Sequence, residues 1–592
     1  MDHESGYRMQ GISAPIPAGM ISGIQKELVW ILKNNPAVRV GFAAPQDASV
    51  PSVRLNSFLL NLYMEYSFYP FWVTEHGPGR KAHIFVSVLR RAGEEGLNPE
   101  DYRTAALIDL LRTSDVRSLA TLDIMLTLAL HAYLSDILEG RVFRSRPIPD
   151  WFFAARTREA SLPKMIRQAL NIYDLLAFLN QLSPGYTEYH LLKKLLAEYR
   201  QLATKGGWPA VPPGTTLRPG MQDSRLAVLA ERLFITGDLQ DFSVIPPPPG
   251  IAALRPAFPE PLSDRVIAAQ LVRPPCMRRS PVLTPSRPVY GRTLLRAVKH
   301  FQRRYNLNPD GAVGKKTLEA LNLPVQEHID RILLNLERWR WLPNNAEGRR
   351  ILVNIAGFRL TGRKDDQVEI EMPVVVGKVK HKTPVFSHTM TYIEVNPYWN
   401  IPKTIARNEI AVKVQENSDY LQKERIRVFD GWQEGAPEIP PASIDWATIG
   451  EELDQFRLRQ EPGPENALGT IKFMFPNNKN IYMHDTPSRN LFRRIRRAYS
   501  HGCIRLARPL ELARYILSHD QQPVTGQQLH QLIDSKKRKI FILNHPLPVH
   551  IMYWTVRVDR RTGTAYFYDD IYGCDARLGS VLFAGRDRRR YP

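Results

Sequence analysis

Four consecutive prolines, Pro246 to Pro249, open a stretch that stays proline-rich as far as Pro288. Proline fixes φ and lacks an N–H, so helices cannot propagate through such a stretch and polyproline II is favoured. The stretch predicts a stiff linker, and therefore a chain divided into separately packed parts. Its length agrees: 592 residues are too many for one ordinary core and suit two to four domains. A hydrophobic content of 43%, with 9% aromatics, is enough to fill them.

The two sides of the linker differ in periodicity. From about Met20 to Gly237 the pattern is helical, with Leu191, Leu192, Leu195, Leu196 and Tyr199 recurring at three- and four-residue spacing. The apolar stretch from Leu122 to Leu138 carries Asp123, His131 and Asp136, which predicts a packed helix and no membrane span. Acidic residues in this region are expected to be helix caps or surface groups. After the linker, Leu294, Val298, Phe301 and Tyr305 mark one helix face, Asp310-Gly311 a turn, and Thr317, Leu318 and Leu321 a second helix.

From Ile351 the period becomes two. Ile351, Val353 and Ile355, then Val368 to Val376, then Tyr392 and Glu394, read as successive strands, and strand character returns at His550 to Val558 and Thr564 to Tyr568. Between Pro402 and Gly463 the alternation yields to a polar, partly helical stretch, which predicts an insertion.

The net charge of +21 suggests a polyanionic partner: nucleic acid, an anionic membrane surface or a carboxylate-rich wall polymer. Basic runs such as Arg493, Arg494, Arg496 and Arg497 come without a recognition-helix or RNA-binding aromatic signature, so nucleic acid ranks below wall polymer. Three cysteines far apart, Cys276, Cys503 and Cys574, make neither a disulfide framework nor a zinc cluster.

One of the three stands in chemically loaded surroundings, Ser500-His501-Gly502-Cys503-Ile504-Arg505, with His484 sixteen positions upstream of Ser500. A thiol is mostly protonated near neutral pH and needs a base to become a nucleophile, which His484 or His501 would supply. Gly502 leaves room for main-chain N–H groups around it to meet a tetrahedral oxyanion. Arg505 offers a planar fork for a substrate carboxylate. Tyr482 and Trp399 are aromatic candidates for lining a peptide cleft or for the core.

His484-Asp485-Thr486-Pro487 followed by this stretch resembles the signature of L,D-transpeptidases with a YkuD-type catalytic domain. The blocks Asn396-Pro397-Tyr398-Trp399-Asn400-Ile401-Pro402, Gln460 to Gly469 and Lys472-Phe473-Met474-Phe475-Pro476-Asn477 resemble others in the large members of that family. Tyr69-Pro70-Phe71-Trp72 and Gly96 to Tyr102 resemble their helical scaffold. Ala297 to Gln302 with Asp310 to Gly314 is similar to a peptidoglycan-binding domain. The resemblance implies a multidomain fold: tail 1–19, α-helical scaffold 20–240, linker 241–289, small helical peptidoglycan-binding domain 290–325, mainly β catalytic domain 326–575 with a capping subdomain over 403–463, and basic tail 576–592.

It also implies roles. Cys503 is expected as nucleophile, His484 as base and acid, Asp485 as the group that holds the imidazole tautomer, Gly502 in the oxyanion region, and Ser500, His501, Arg505, Tyr482 and Trp399 on the substrate side. The reaction implied is a 3→3 cross-link between peptidoglycan stems with loss of D-Ala, without cofactor or metal. A carboxypeptidase, a protein-to-wall ligase and a non-catalytic wall-binding scaffold are the alternatives. Implied partners are stem peptides and glycan, carbapenem-type β-lactams as inhibitors, and other cell-wall synthesis enzymes, with no nucleic acid and no transmembrane segment. The implied location is the periplasm or envelope, although Met1-Asp2-His3-Glu4-Ser5 lacks the basic start of a signal peptide.

Overall fold

A computed structural model of the chain describes residues 19–34, 51–142, 151–152, 162–240, 288–343, 347–520 and 524–584. Nearly all of the expected tail over 1–19 and of the linker over 241–289, Cys276 included, lies outside the described residues, as does the end of the basic tail, 585–592.

The helical half is organised around α1 (Val116–Leu138), capped by the Asp115 carboxylate, which accepts the Ser118 N–H at 2.9 Å. Among the described residues it is the one helix long and apolar enough to cross a membrane, yet most of it is buried inside the helical core. Its acids depart from the expectation of caps or surface groups. Asp123 is fully buried and accepts the Trp72 N–H at 2.7 Å and the Tyr63 hydroxyl at 2.7 Å, and the buried Asp136 accepts the Tyr102 hydroxyl at 2.8 Å. They satisfy the polar groups of neighbouring segments that α1 would otherwise leave unpaired inside the core.

The helical pattern expected over 20–240 contains a break in packing. Most buried apolar residues from Ile24 to Leu182 share one core, whereas Val142 and most of those from Tyr186 onward join a second that runs to Leu582. Helix α2 (Thr187–Thr204) buries Leu192, Leu195, Leu196 and Tyr199 in that second core. There it meets α3 (Arg292–Arg304), which buries Leu294, Val298 and Phe301, and α4 (Val325–Arg340).

The β half begins with β1 (Arg349–Asn354), β2 (Arg359–Lys364), β3 (Gln367–Gly377) and β4 (Val385–Val395). Every β1 residue after Arg349 is buried, so this strand is covered on both faces and the expected alternation does not hold along it. The chain then leaves the sheet. Strands β5 (Trp399–Asn400), β6 (Ile426–Phe429), β7 (Glu438–Ile439) and β8 (Arg457–Gln460) form a separate four-stranded sheet in the order β7-β6-β8-β5. It has its own core of Ile401, Ile410, Val414, Leu421, Val428 and Leu458, at the place expected for the insertion.

The main sheet resumes with β9 (Ile471–Met474), β10 (Met483–His484), β11 (Ala498–Ser500), β12 (Ile504–Leu506) and β13 (Lys539–Met552). Its order is β9-β10-β12-β3-β2-β1-β13-β4, followed by the short strand Trp151–Phe152 in parallel on β4, with β11 beside β3; β4 also pairs with β9, so the path closes on itself. The strand expected over His550 to Val558 is broken after Met552: a separate hairpin, β14 (Val556–Val558) with β15 (Ala565–Phe567), follows. Most neighbours in the ring are antiparallel, but β10 and β12 run parallel, with Met483 opposite Ile504 and His484 opposite Arg505. This short parallel pair carries the motif.

Candidate active site

Cys503 stands immediately before β12 and Tyr482 immediately before β10, so the register sets them side by side; the Ile504 N–H donates to the Tyr482 carbonyl at 3.1 Å. The Tyr482 side chain and backbone act on the Cys503 thiol, and Trp399 acts in turn on the Tyr482 hydroxyl. The thiol also donates to the Asn480 carbonyl at 3.6 Å. Burial pushes the Cys503 thiol above its ordinary value, against the opposing pull of Tyr482, Lys472 and Arg505. Cys503 nevertheless keeps partial solvent access, unlike Cys574, which is buried.

Two residues on from Tyr482 along the strand, His484 projects to the same side, with the two rings 5.7 Å apart. It is buried, and its Nδ1 lies 2.5 Å from the Asp485 carbonyl oxygen. A carbonyl only accepts, so Nδ1 carries the proton and Nε2 is left as the base. Burial first, then the charges of Arg505 and Lys472, lower the His484 pKa to about 3, so the imidazole rests neutral. The Asp485 carboxylate works elsewhere: it takes Arg489 at 2.6 Å, the Thr486 N–H at 2.6 Å, and the Thr470 N–H and hydroxyl at 2.9 Å each.

The motif turn is tied from within. Ser500 Oγ accepts the Gly502 N–H at 3.2 Å and donates to the Cys503 carbonyl at 2.5 Å. Gly502 has φ of +118°, in the region that favours glycine, and a Cβ there would lie 3.2 Å from Ile481. With the Gly502 N–H taken by Ser500, the His501 and Cys503 N–H groups are main-chain donors of this turn that meet no acceptor among the described residues.

Arg505 lies on β12, two residues past the thiol. Its Nε is buried without a partner, and among the described residues no carboxylate closes an ion pair on it. His501 is engaged by other groups: its Nε2 is 2.6 Å from Glu409 of the insertion and 3.0 Å from Lys378. Glu409 thus brings the insertion onto the motif turn.

Sequence reading passed over several of these neighbours. Lys472, directly opposite His484 on β9, holds its ammonium 4.4 Å from the Tyr482 ring centre and acts electrostatically on the thiol. It sits in a quoted block, Lys472-Phe473-Met474, but only strand register reveals which face it takes. Glu409 and Lys378 reach the site from other elements, and no local motif signals them. The described residues contain no grouping of His, Cys, Asp and Glu that could hold a metal.

Comparison with known proteins gives this geometry a context. Residues 348–538 match the YkuD family model, described as the L,D-transpeptidase catalytic domain. Residues 57–196 match a scaffold domain, and 284–321 a "Putative peptidoglycan binding domain". A Haemophilus influenzae protein described as "Putative L,D-transpeptidase" is 31% identical over 248 residues, covering 42% of this chain and 48% of the relative, so the match spans about half of that relative's length. A solved L,D-transpeptidase from Mycobacterium smegmatis is 14% identical over 35% of this chain and 59% of its own, with a TM-score of 0.16. One from Xylanimonas cellulosilytica is 13% identical over 57% of this chain and 98% of its own, with a TM-score of 0.15. Likeness at those scores carries no argument about fold or function.

Proposed function

We propose that this chain, which carries a YkuD-type L,D-transpeptidase catalytic domain and a peptidoglycan-binding domain, forms 3→3 cross-links between peptidoglycan stems through a thioester on Cys503. The observation that carries the reading is the parallel pairing of β10 with β12, which brings a solvent-reachable thiol beside the strand of a buried, neutral imidazole whose Nδ1 proton is held by a main-chain carbonyl.

His484 Nε2 takes the thiol proton as Cys503 Sγ attacks the carbonyl carbon of the third stem residue, a diamino acid. The Cys503 N–H and the Tyr482 hydroxyl stabilise the oxyanion. Collapse of the intermediate breaks the peptide bond, and His484 returns the proton to the departing D-Ala amine. An amine on a second stem then attacks the thioester and regenerates the thiol. Arg505, a half-buried fork whose Nε is buried without a partner, suits a carboxylate of the donor stem. Residues 403–463 are read as a cap that keeps water from the thioester, supported by the reach of Glu409 to His501. A cell-envelope location and acylation by carbapenem-type β-lactams belong to the same reading.

Mass spectrometry of the products from tetrapeptide stems tests it. A cross-linked dimer that has lost one D-Ala is expected. Tripeptide alone would make the chain a carboxypeptidase, and no consumption of stems would contradict the reading.

A further inference from the structure

In the proposed mechanism one oxyanion donor, the Cys503 N–H, is a single N–H on a turn, and something must hold that turn in one orientation. The Gly502 carbonyl and the Cys503 N–H are opposite ends of one planar peptide unit. Whatever fixes the carbonyl therefore fixes the N–H. The carbonyl is held by Thr383, whose hydroxyl donates to it at 2.6 Å.

Thr383 is itself fully tied. Its hydroxyl accepts the Gly377 N–H at 2.9 Å, and its own N–H donates to the Tyr572 hydroxyl at 3.2 Å, which in turn donates to the Gly377 carbonyl at 2.5 Å. Thr383 is 1% exposed and Tyr572 5%. Gly377 has to be glycine for this knot to close, because a Cβ there would lie 2.0 Å from the His381 carbonyl oxygen. Three stretches meet in it: the end of β3, the connection from β3 to β4, and the segment after β15. The last lies beyond residues 348–538, the part of the chain that matches the catalytic family model.

We propose that Thr383 is a positioning residue for acyl transfer: its hydroxyl orients the Gly502–Cys503 peptide so that the Cys503 N–H faces the developing oxyanion, and Tyr572 holds Thr383 in that role. The inference rests on the acyl-enzyme reading above. A purely structural threonine would affect stability alone, whereas this role predicts a loss specific to reactions that pass through an oxyanion.

Two reactions of the same thiol separate these possibilities in the full chain. Acylation, by a tetrapeptide stem and by an activated aryl ester, develops an oxyanion; alkylation by iodoacetamide does not. Thr383→Val is expected to slow acylation on the order of 10- to 100-fold, somewhat less than outright removal of an oxyanion donor. Its alkylation rate should stay within about twofold, and Thr383→Ser should restore acylation. Tyr572→Phe, which keeps the ring and removes the hydroxyl, should show the same selective loss in smaller measure and guards against misfolding of the valine variant. Equal slowing of both reactions, or acylation at the parental rate in both Thr383→Val and Tyr572→Phe, would overturn the proposal. A parent acylated by the ester but not by the stem would refute the substrate reading while the ester still decides the role of Thr383. A parent acylated by neither would contradict both.

Discussion

His484 and Cys503 both favour their neutral forms, the imidazole because of burial with Arg505 and Lys472 nearby, the thiol because burial outweighs its hydrogen bonds and flanking cations. A resting thiolate–imidazolium pair is therefore not expected; the proton moves during attack. Iodoacetamide alkylation of Cys503 should rise with pH across the neutral range, about tenfold per pH unit while the thiol remains mostly protonated, with no plateau below pH 7. A plateau there would reveal a preformed thiolate. His484→Ala should slow acylation by about 100- to 10,000-fold and leave alkylation at high pH nearly unchanged. These two residues were legible in the sequence because rare, chemistry-bearing side chains lie within one short stretch. Thr383, Tyr572, Glu409 and Lys472 were not, since threonine, tyrosine, glutamate and lysine are common and each owes its place to tertiary contact.

Among the elements, the small helical module was legible as an amphipathic stripe, and Leu294, Val298, Phe301 and Tyr305 are indeed all buried. What they are buried against was not legible, because the partner is some 260 positions further on. Tyr305 stacks on Phe567 of β15 at 5.4 Å, and Arg304 donates to the Ala565 carbonyl at 2.7 Å and pairs with the buried Asp238 at 2.7 Å. The module is thus a wall of the core it shares with the sheet. Deleting residues 290–323 should abolish the cooperative melt of the catalytic half, since each large apolar side chain lost costs about 2 kcal/mol or more. Calorimetry with an acylation assay on a soluble stem checks this: a deletion variant that melts cooperatively and acylates at the parental rate would show the module to be independent. The insertion was legible in outline from its loss of alternation, but not its contact with His501, which depends on how its own small sheet is docked.

For the whole molecule, the +21 charge was read outward, toward a polyanionic partner, yet several arginines are spent inside: Arg232, Arg304, Arg338, Arg340 and Arg363 are all buried. Composition cannot distinguish a buried arginine from a surface one. Arg363 and Arg560 clamp Glu188, joining α2 to the sheet region at 2.6 and 2.8 Å. Burial pushes Glu188 up, but the two arginines outweigh it and leave it at about 2. Asp123 in the helical core is the reverse: burial dominates the hydrogen bonds from Trp72 and Tyr63, and its pKa rises to about 6. The signs follow. Glu188, lowered on folding, stabilises above its unfolded value and loses that contribution, about 3 kcal/mol, as pH falls toward 2. Asp123, raised on folding, stabilises below its unfolded value and loses a similar amount, about 3 kcal/mol, as pH rises through 6. On acidification from pH 7, hydrogen exchange should slow first in α1 and then quicken in α2; Asp123→Asn should remove the first change and Glu188→Gln the second. Parallel behaviour of both helices would contradict the division into two cores between Leu182 and Tyr186, a break that an unbroken helical pattern hides.

The claim that joins these levels is that Cys503 carries the acyl group. Intact-mass measurement of the full chain incubated with a tetrapeptide donor and no acceptor tests it most directly. The account predicts a gain equal to the donor less D-Ala, mapped to Cys503 and absent from Cys503→Ala, which should keep the parental melting temperature but lose turnover. An adduct on Cys574 or Cys276, or turnover by Cys503→Ala at the parental rate, would contradict it.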